Sequence, residues 1–213
     1  MYTQNEDLEL LEDGVTDLAL AAQREGGAPL STALADEHVW VESARGGDID
    51  AFDRIMERYE DRLLRFLVGL VGDVELAREL CQDTFLAAYQ ALPKLRGELR
   101  LSAWLHTIAL NRARSHHRKW HNRRTVPLQD DILPARGGDM QEIAVTQDSV
   151  RRTLELLPKH YKEALLLQTA GMSCREIARA VGSSEGAVKV RLLRARDAFR
   201  RLYEAEVSES CRS

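Results

Sequence analysis

Apolar side chains recur along this chain at the three- and four-residue steps of helices rather than the two-residue step of strands. Phe52, Ile55, Met56, Tyr59, Leu63, Phe66, Leu67 and Leu70 form one sustained stripe, broken at Gly72 and Asp73. Ala77, Leu80, Cys81, Phe85, Ala88, Tyr89 and Leu92 form the next, and Pro93 ends it because proline lacks the amide hydrogen a helix interior needs. A third long helix starts with Trp104, Leu105, Ile108 and Ala109, then turns polar and basic through Arg112, Arg114, Arg118 and Lys119. Ahead of these, Val39, Trp40 and Ala44 begin a short helix that stops at Gly46 and Gly47. Together these elements predict a helical domain over residues 36–124.

Periodicity lapses over residues 125–148, which hold Pro127, Pro134, Gly137, Gly138 and five acidic residues against Arg136 alone. That composition predicts a flexible acidic linker, able to stretch to roughly 80 Å. The helical pattern resumes with Leu154, Leu156 and Leu157, with Pro158 suited to a helix first turn, and continues through Tyr161, Ala164, Leu165 and Leu167. A second helical domain is expected over residues 149–206, with a tail over 207–213. Residues 1–35 are acidic, with Leu8, Leu11, Val15 and Leu18 at loose helical spacing, and read as a flexible or weakly helical extension. The expected fold class is therefore all-α, two small helical domains joined by a flexible acidic linker, the second a helix-turn-helix domain.

The helix-turn-helix reading rests on Ser173–Phe199. Ser173 and Glu176 have the spacing of a capping box. Ile177, Ala178 and Val181 form a short apolar stripe, and Gly182 follows where a helix end favours the left-handed conformation. Ser183 and Ser184 are placed to cap a second helix carrying Ala187, Val188 and Leu192 on one side and Lys189, Arg191, Arg194 and Arg196 elsewhere. Such a second helix is shaped to enter a DNA major groove, with Ser184, Glu185 and Lys189 nearest the bases. The alternative is a solvated basic helix in a bundle.

Charge sharpens this picture. The chain of 213 residues has a formal net charge of −4, yet residues 92–124 hold nine basic residues against Glu98 alone. Residues 171–203 hold eight basic and three acidic, while residues 1–38 hold nine acidic against Arg24 alone. The acidic balance therefore does not argue against nucleic acid, because the basic patches are local. The acidic extension reads either as a disordered tail or as a segment that docks on a basic DNA-binding face and lowers activity, in which case deleting residues 1–35 should raise DNA affinity. Hydrophobic residues make up 44% and charged residues 30%, as in soluble globular proteins. Cys81, Cys174 and Cys211 lie far apart with no CxxC pair, which reads as free thiols in a reducing compartment. The start lacks the basic and apolar regions of a signal peptide, and Leu63–Val71 is too short to span a bilayer, so a cytoplasmic protein without membrane insertion is expected.

In the first domain, Trp104, His106, Asn111, Arg112, Ser115, His116 and Lys119 combine an aromatic ring, hydrogen-bonding groups and cations. That mixture suits unpaired bases, which need a stacking surface and a cationic track. The loop Lys94, Leu95, Arg96, Gly97, Glu98 adjoins it. Core packing is the competing reading for Trp104. His117 and His121 sit four residues apart, a spacing that can pair imidazoles on a metal, but no HExxH, acid or cysteine accompanies them, and no metal is expected. No nucleophile elbow, phosphate loop or dinucleotide fingerprint is present, so neither enzymatic activity nor a cofactor is expected. Gln82, Asp83, Thr84 and Phe85 read either as a protein-docking face or as an ordinary amphipathic helix.

These residues resemble a family. ARGGDIDAFDRIMERYEDRLLRFLVGLVGD, ELARELCQDTFLAAYQALPKLRGE and SAWLHTIALNRARSHHRK are similar to the first conserved domain, region 2, of bacterial sigma factors of the extracytoplasmic-function group. LELLPKHYKEALLLQTAGMSCREIARAVGSSEGAVKVRLLRARDAFRRL is similar to their second, region 4. The resemblance implies a non-enzymatic alternative sigma factor that binds core RNA polymerase and promoter DNA. Glu79, Leu80, Gln82, Asp83, Thr84 and Phe85 would dock on the clamp helices of the largest polymerase subunit. Lys94, Arg96, Trp104, Asn111, Arg112, Ser115, His116 and Lys119 would open and read the −10 element as single strand. Ser184, Glu185, Lys189, Arg191, Arg194 and Arg196 would read the −35 element as duplex. An anti-sigma factor is implied as a further partner. The alternatives are a polymerase-independent helix-turn-helix regulator, which leaves the first domain unexplained, and a metal-dependent nuclease built on the histidines, which lacks a carboxylate beside them.

Overall fold

A computed structural model describes residues 30–95, 99–123 and 143–210. Among the described residues the chain forms eight α-helices and one 3-10 turn, with no strand. They are α1 (Leu30–Arg45), α2 (Ile49–Val71), α3 (Val74–Ala91), the turn Leu92–Lys94, α4 (Leu101–Arg123), α5 (Ile143–Leu156), α6 (Lys159–Thr169), α7 (Cys174–Val181) and α8 (Glu185–Ser210).

The first unit is α1–α4. Asp48 caps α2 by accepting the Ala51 N–H at 3.2 Å, and Asp73 caps α3 by accepting those of Glu75 and Leu76 at 2.9 and 3.0 Å. Each cap satisfies N–H groups that lack intrahelical partners. The predicted stripes then meet: Ile55, Leu63 and Leu67 of α2, Ala77, Leu80 and Ala88 of α3, and Leu101, Leu105 and Leu110 of α4 are all buried. α1 covers one side with Val41 and Ala44. It is held by the Tyr59 hydroxyl, which donates to Glu37 Oε2 at 2.7 Å, and by Arg58, 3.7 Å from the same carboxylate and stacked over Trp40. Burial, then the Glu37 hydrogen bond, push the Tyr59 pKa far up, so the phenol stays a donor.

The second unit is α5–α8. Ala164 and Leu167 of α6, Ile177 of α7, and Val188, Leu192 and Ala195 of α8 form its core. Arg152 of α5 reaches Glu206 near the end of α8 at 3.1 Å. Pro158 stands at the start of α6, as expected from its fixed φ and missing donor.

Three boundaries differ from the pattern-based reading. α1 begins at Leu30 rather than near Val39, because its foothold is the long-range Glu37–Tyr59 contact rather than an apolar stripe. α5 begins at Ile143, within the span read as linker, and α8 runs through residues read as tail. Residues 1–29 of the predicted extension, 124–142 of the predicted linker and 211–213 of the tail lie outside the described residues.

The two units touch each other. The Leu166 side chain of α6 lies against Gly69 of α2, where an added Cβ would come within 2.9 Å of it. Arg114 of α4 grips Glu163 of α6 bidentately, Nε to Oε1 at 3.1 Å and Nη2 to Oε2 at 2.5 Å. Arg100, just before α4, reaches Glu176 of α7 at 3.3 Å.

Candidate nucleic-acid interface

The helix-turn-helix forms as its local signals dictate. Ser173 N–H donates to Glu176 Oε2 at 2.9 Å, and Glu176 N–H donates to Ser173 Oγ at 3.3 Å. Gly182 ends α7 at φ 70°, a left-handed turn that a side chain would strain, and its N–H donates to the Ala178 carbonyl. Ser184 then caps α8 by accepting the Ala187 N–H at 3.2 Å. Burial raises the Glu176 pKa, but the Ser173 hydrogen bonds and the Arg100 and Arg179 guanidiniums outweigh it, and the carboxyl ends below its ordinary value.

With Val188, Leu192 and Ala195 buried, α8 turns Ser184, Glu185, Lys189, Arg194 and Arg196 to solvent and leaves Arg191 half-buried. Lys189 Nζ pairs with Glu185 at 3.0 Å, and this hydrogen bond raises the ammonium pKa, so Lys189 stays charged. α8 thus offers a cationic, solvent-facing helix whose first turn is exposed.

The second face is a cleft of about 580 Å³ between α3 and α4. Trp104, Ile108, Asn111, Arg112 and Ser115 of α4 form one wall, and Gln90, Lys94 and Leu95 stand opposite. Trp104 packs on the core with part of its surface and also lines the cleft. His116 and Lys119 continue this helix as exposed residues. His106 does not join them. It is buried, donates from Nδ1 to the Ser102 carbonyl at 2.7 Å and lies edge-on to Phe66. Burial lowers its pKa, keeping it neutral. Arg96 lies outside the described residues, as does the His121 side chain. Among the described residues no group of three His, Cys, Asp or Glu could hold a metal ion.

The third face lies on α3. Of the six residues assigned to docking, Glu79, Gln82 and Asp83 are exposed, whereas Leu80, Thr84 and Phe85 are buried. The Thr84 hydroxyl is satisfied by the Leu80 carbonyl at 2.6 Å. Leu80 and Thr84 therefore lie beneath the exposed surface of α3, and Phe85 floors a shallow groove of about 440 Å³. The apolar surface there comes from residues the pattern did not single out for docking, Ile49 (60% exposed), Leu86 (57%) and Tyr89 (40%). Tyr89 belongs to the predicted core stripe, yet it is exposed and packs in a T-shaped arrangement with Phe52, at 5.1 Å between ring centroids. Leu86 is an apolar residue off the buried stripe. Burial pushes the Cys81 thiol behind this face up to about 11, with Glu60 adding to the rise. No described helix is long and apolar enough to cross a membrane.

Both units match known proteins. The family model for Sigma-70 region 2 matches residues 55–124, and that for Sigma-70, region 4 matches residues 147–199. The RNA polymerase sigma-H factor of Pseudomonas aeruginosa is 30% identical, with 80% of this chain and 95% of that protein covered. The ECF RNA polymerase sigma-E factor of Escherichia coli is 31% identical over the same shares. Among solved structures, CnrH in complex with the cytosolic domain of CnrY matches with a TM-score of 0.62 at 26% identity, covering 80% of this chain and 98% of that one. The sigma factor RpoE in complex with the anti-sigma factor NepR from Bartonella quintana matches with a TM-score of 0.59 at 25% identity, covering 73% and 98%.

Proposed function

The chain belongs to the extracytoplasmic-function group of bacterial RNA polymerase sigma factors, and on that premise we propose how its surfaces divide the work of initiation. It is an alternative sigma factor that binds core RNA polymerase and directs it to promoters. Nothing in the matched regions favours a polymerase-independent regulator. Sigma factors are in general not enzymes, and this chain acts by binding alone, in the cytoplasm with the polymerase it serves.

Glu79, Gln82 and Asp83, with the exposed Ile49, Leu86 and Tyr89, dock on the polymerase clamp helices; Leu80, Thr84 and Phe85 hold that surface in shape. The cleft of Lys94, Trp104, Asn111, Arg112 and Ser115, extended by His116 and Lys119, captures bases of the opened −10 strand, and Arg96, outside the described residues, is assigned to the same element by its place in the sequence. Unpairing and unstacking cost energy, and stacking and hydrogen bonding to the exposed bases offset it. Ser184, Glu185, Lys189, Arg191, Arg194 and Arg196 engage the −35 duplex, where phosphate contacts set register. An anti-sigma factor holds the chain inactive, as NepR is seen bound to RpoE.

The contact between the two units must open for this. Elements about 25 base pairs apart lie roughly 85 Å apart along B-form DNA. Two touching domains, each about 30 Å across, cannot reach both. Polymerase binding, by holding them at the matched separation, raises the effective concentration of the second contact.

The observation that carries this reading is the match of both sigma regions, in order, over the units bearing these faces. Run-off transcription with core polymerase on fragmented genomic DNA tests it. Transcripts that require this protein, from starts sharing two spaced elements, are expected. Absence of both polymerase binding and transcripts would overturn it.

A further inference from the structure

The outermost line of α8 is not cationic. Gly186, Val190, Leu193 and Asp197 follow one another at steps of four, three and four residues, which at about 100° per residue places them on one line. That line lies opposite the buried Val188, Leu192 and Ala195. Val190 is 48% and Leu193 60% exposed, so the part of the helix that projects furthest from the domain is apolar. Cations flank it, Lys189 on one side and Arg194 on the other, both exposed.

Gly186 is the second observation. It sits in the first turn of α8, where glycine is a poor helix former. Its backbone is not left-handed, and a Cβ added there would meet nothing within 4 Å. Neither conformation nor internal packing calls for glycine. A bare backbone at the tip of a projecting helix instead permits close approach by something outside the chain. One turn beyond Leu193 the exposed Asp197 carboxylate, which phosphates would repel, marks where such an approach stops.

We propose that Gly186, Val190 and Leu193 form an apolar reading ridge that packs on thymine methyl groups on the floor of the −35 major groove, while Lys189 and Arg194 straddle it to the phosphates. The proposal rests on the assignment of α8 to the −35 duplex. It adds that part of the specificity is apolar and favours A·T pairs at the positions facing the ridge. The thymine methyl is the one apolar group on the major-groove edge of a base pair, and aliphatic side chains are its natural complement. The flanking cations argue for DNA over a protein as occupant, because the ridge then lies between the two phosphate rails.

The test uses holoenzyme assembled from the full chain and core polymerase. Duplexes randomised around −35, upstream of a fixed −10 element, are selected by wild type, Val190→Ala, Leu193→Ala, Gly186→Ala and Lys189→Ala. The wild-type selection should contain invariant A·T pairs that relax in the Val190 and Leu193 variants. Replacing those thymines by deoxyuridine, which removes only the methyl, should weaken wild-type binding about fourfold per methyl, the worth of one buried carbon. The same replacement should leave the Val190 or Leu193 variant unaffected. Gly186→Ala should raise the melting temperature yet weaken binding to the selected duplex several-fold. Lys189→Ala should weaken all sequences alike and lower the salt slope by about one. If Lys189→Ala behaves so while deoxyuridine is silent and the Leu193 consensus is unchanged, the ridge is refuted and the −35 assignment stands. If no −35 preference emerges even for wild type, both fall. If Leu193→Ala weakens polymerase binding but not DNA selection, the ridge serves a protein and the proposal is wrong.

Discussion

Replacing Arg114 by methionine strands the Glu163 carboxylate at the contact between the two units. Glu163 has a side-chain exposure of 5%, against 33% for Arg114, and its two oxygens take the two bonds of the guanidinium fork. Removing one partner of a fully buried pair costs about 3–5 kcal/mol. Arg114 is partly in water, so its screened share is smaller, and about 2 kcal/mol is a fair discount. The carboxylate has an escape, because separation of α6 from α4 returns it to water. The cost therefore falls on the packed arrangement rather than on either domain, and shifts the balance from packed to separated about thirtyfold at 1.4 kcal/mol per decade. The Arg100–Glu176 pair cannot compensate, since Arg100 is largely solvated and such pairs contribute about 0–1 kcal/mol. Small-angle scattering of the free protein should show a larger radius of gyration for Arg114→Met, with helix content unchanged. The double variant Arg114→Met/Glu163→Leu, which removes the stranded charge, should return it toward the wild-type value. An unchanged radius for Arg114→Met, together with an unchanged melting temperature, would refute the argument that this pair holds the units together.

Other consequences are more local. The Glu176 carboxyl has a lowered folded pKa, so its contribution is complete above its unfolded value near 4.3 and is lost as pH falls through the folded value. Glu176→Gln keeps the capping-box acceptor but loses the negative charge beside the helix start and Arg100, so it should cost about 0.5 kcal/mol at neutral pH, and the difference in melting temperature between the two proteins should stay constant between pH 6 and 8 and shrink as pH falls below about 4.3. Cys81, buried with its thiol raised to about 11, should resist alkylation at pH 8 until the protein unfolds; rapid labelling in the native state would contradict this. Leu86→Lys alters an exposed residue and should leave the melting temperature within about 1 °C, since surface substitutions rarely exceed ±0.5 kcal/mol. It should nevertheless weaken core polymerase binding about tenfold or more, as expected for a desolvated apolar anchor.

What was legible in the sequence was what is encoded locally. The Ser173–Glu176 box, the Gly182 turn and the Ser184 cap each depend on residues three or four apart, and all three formed as read. The stripes of α2 and α3 were legible because one face repeats at helical spacing. Which polar residue lies inside was not legible. Thr84 and His106 are buried because each satisfies a hydrogen bond to a carbonyl four residues back, a solution invisible to a hydrophobic pattern. The start of α1 and the contact between the units were illegible for another reason. Glu37 meets Tyr59 across 22 residues and Arg114 meets Glu163 across 49, and no spacing rule announces such partners. The exposure of Leu86 was illegible as well, because a single apolar residue off the stripe carries no periodic signal.

The way α8 is built also fixes the calorimetric character of what it does. Its cap is made, its inner side is packed and its far end is tied to α5 through Glu206 before any partner arrives. Binding that must fold a helix carries a large negative heat-capacity change and a heavy ordering entropy. Here the helix brings no such burden, so the heat capacity of duplex binding by the second unit should reflect only the groove surface covered. Any larger value in the full chain would then measure the separation of the two units, and the difference between the two experiments would weigh that separation directly.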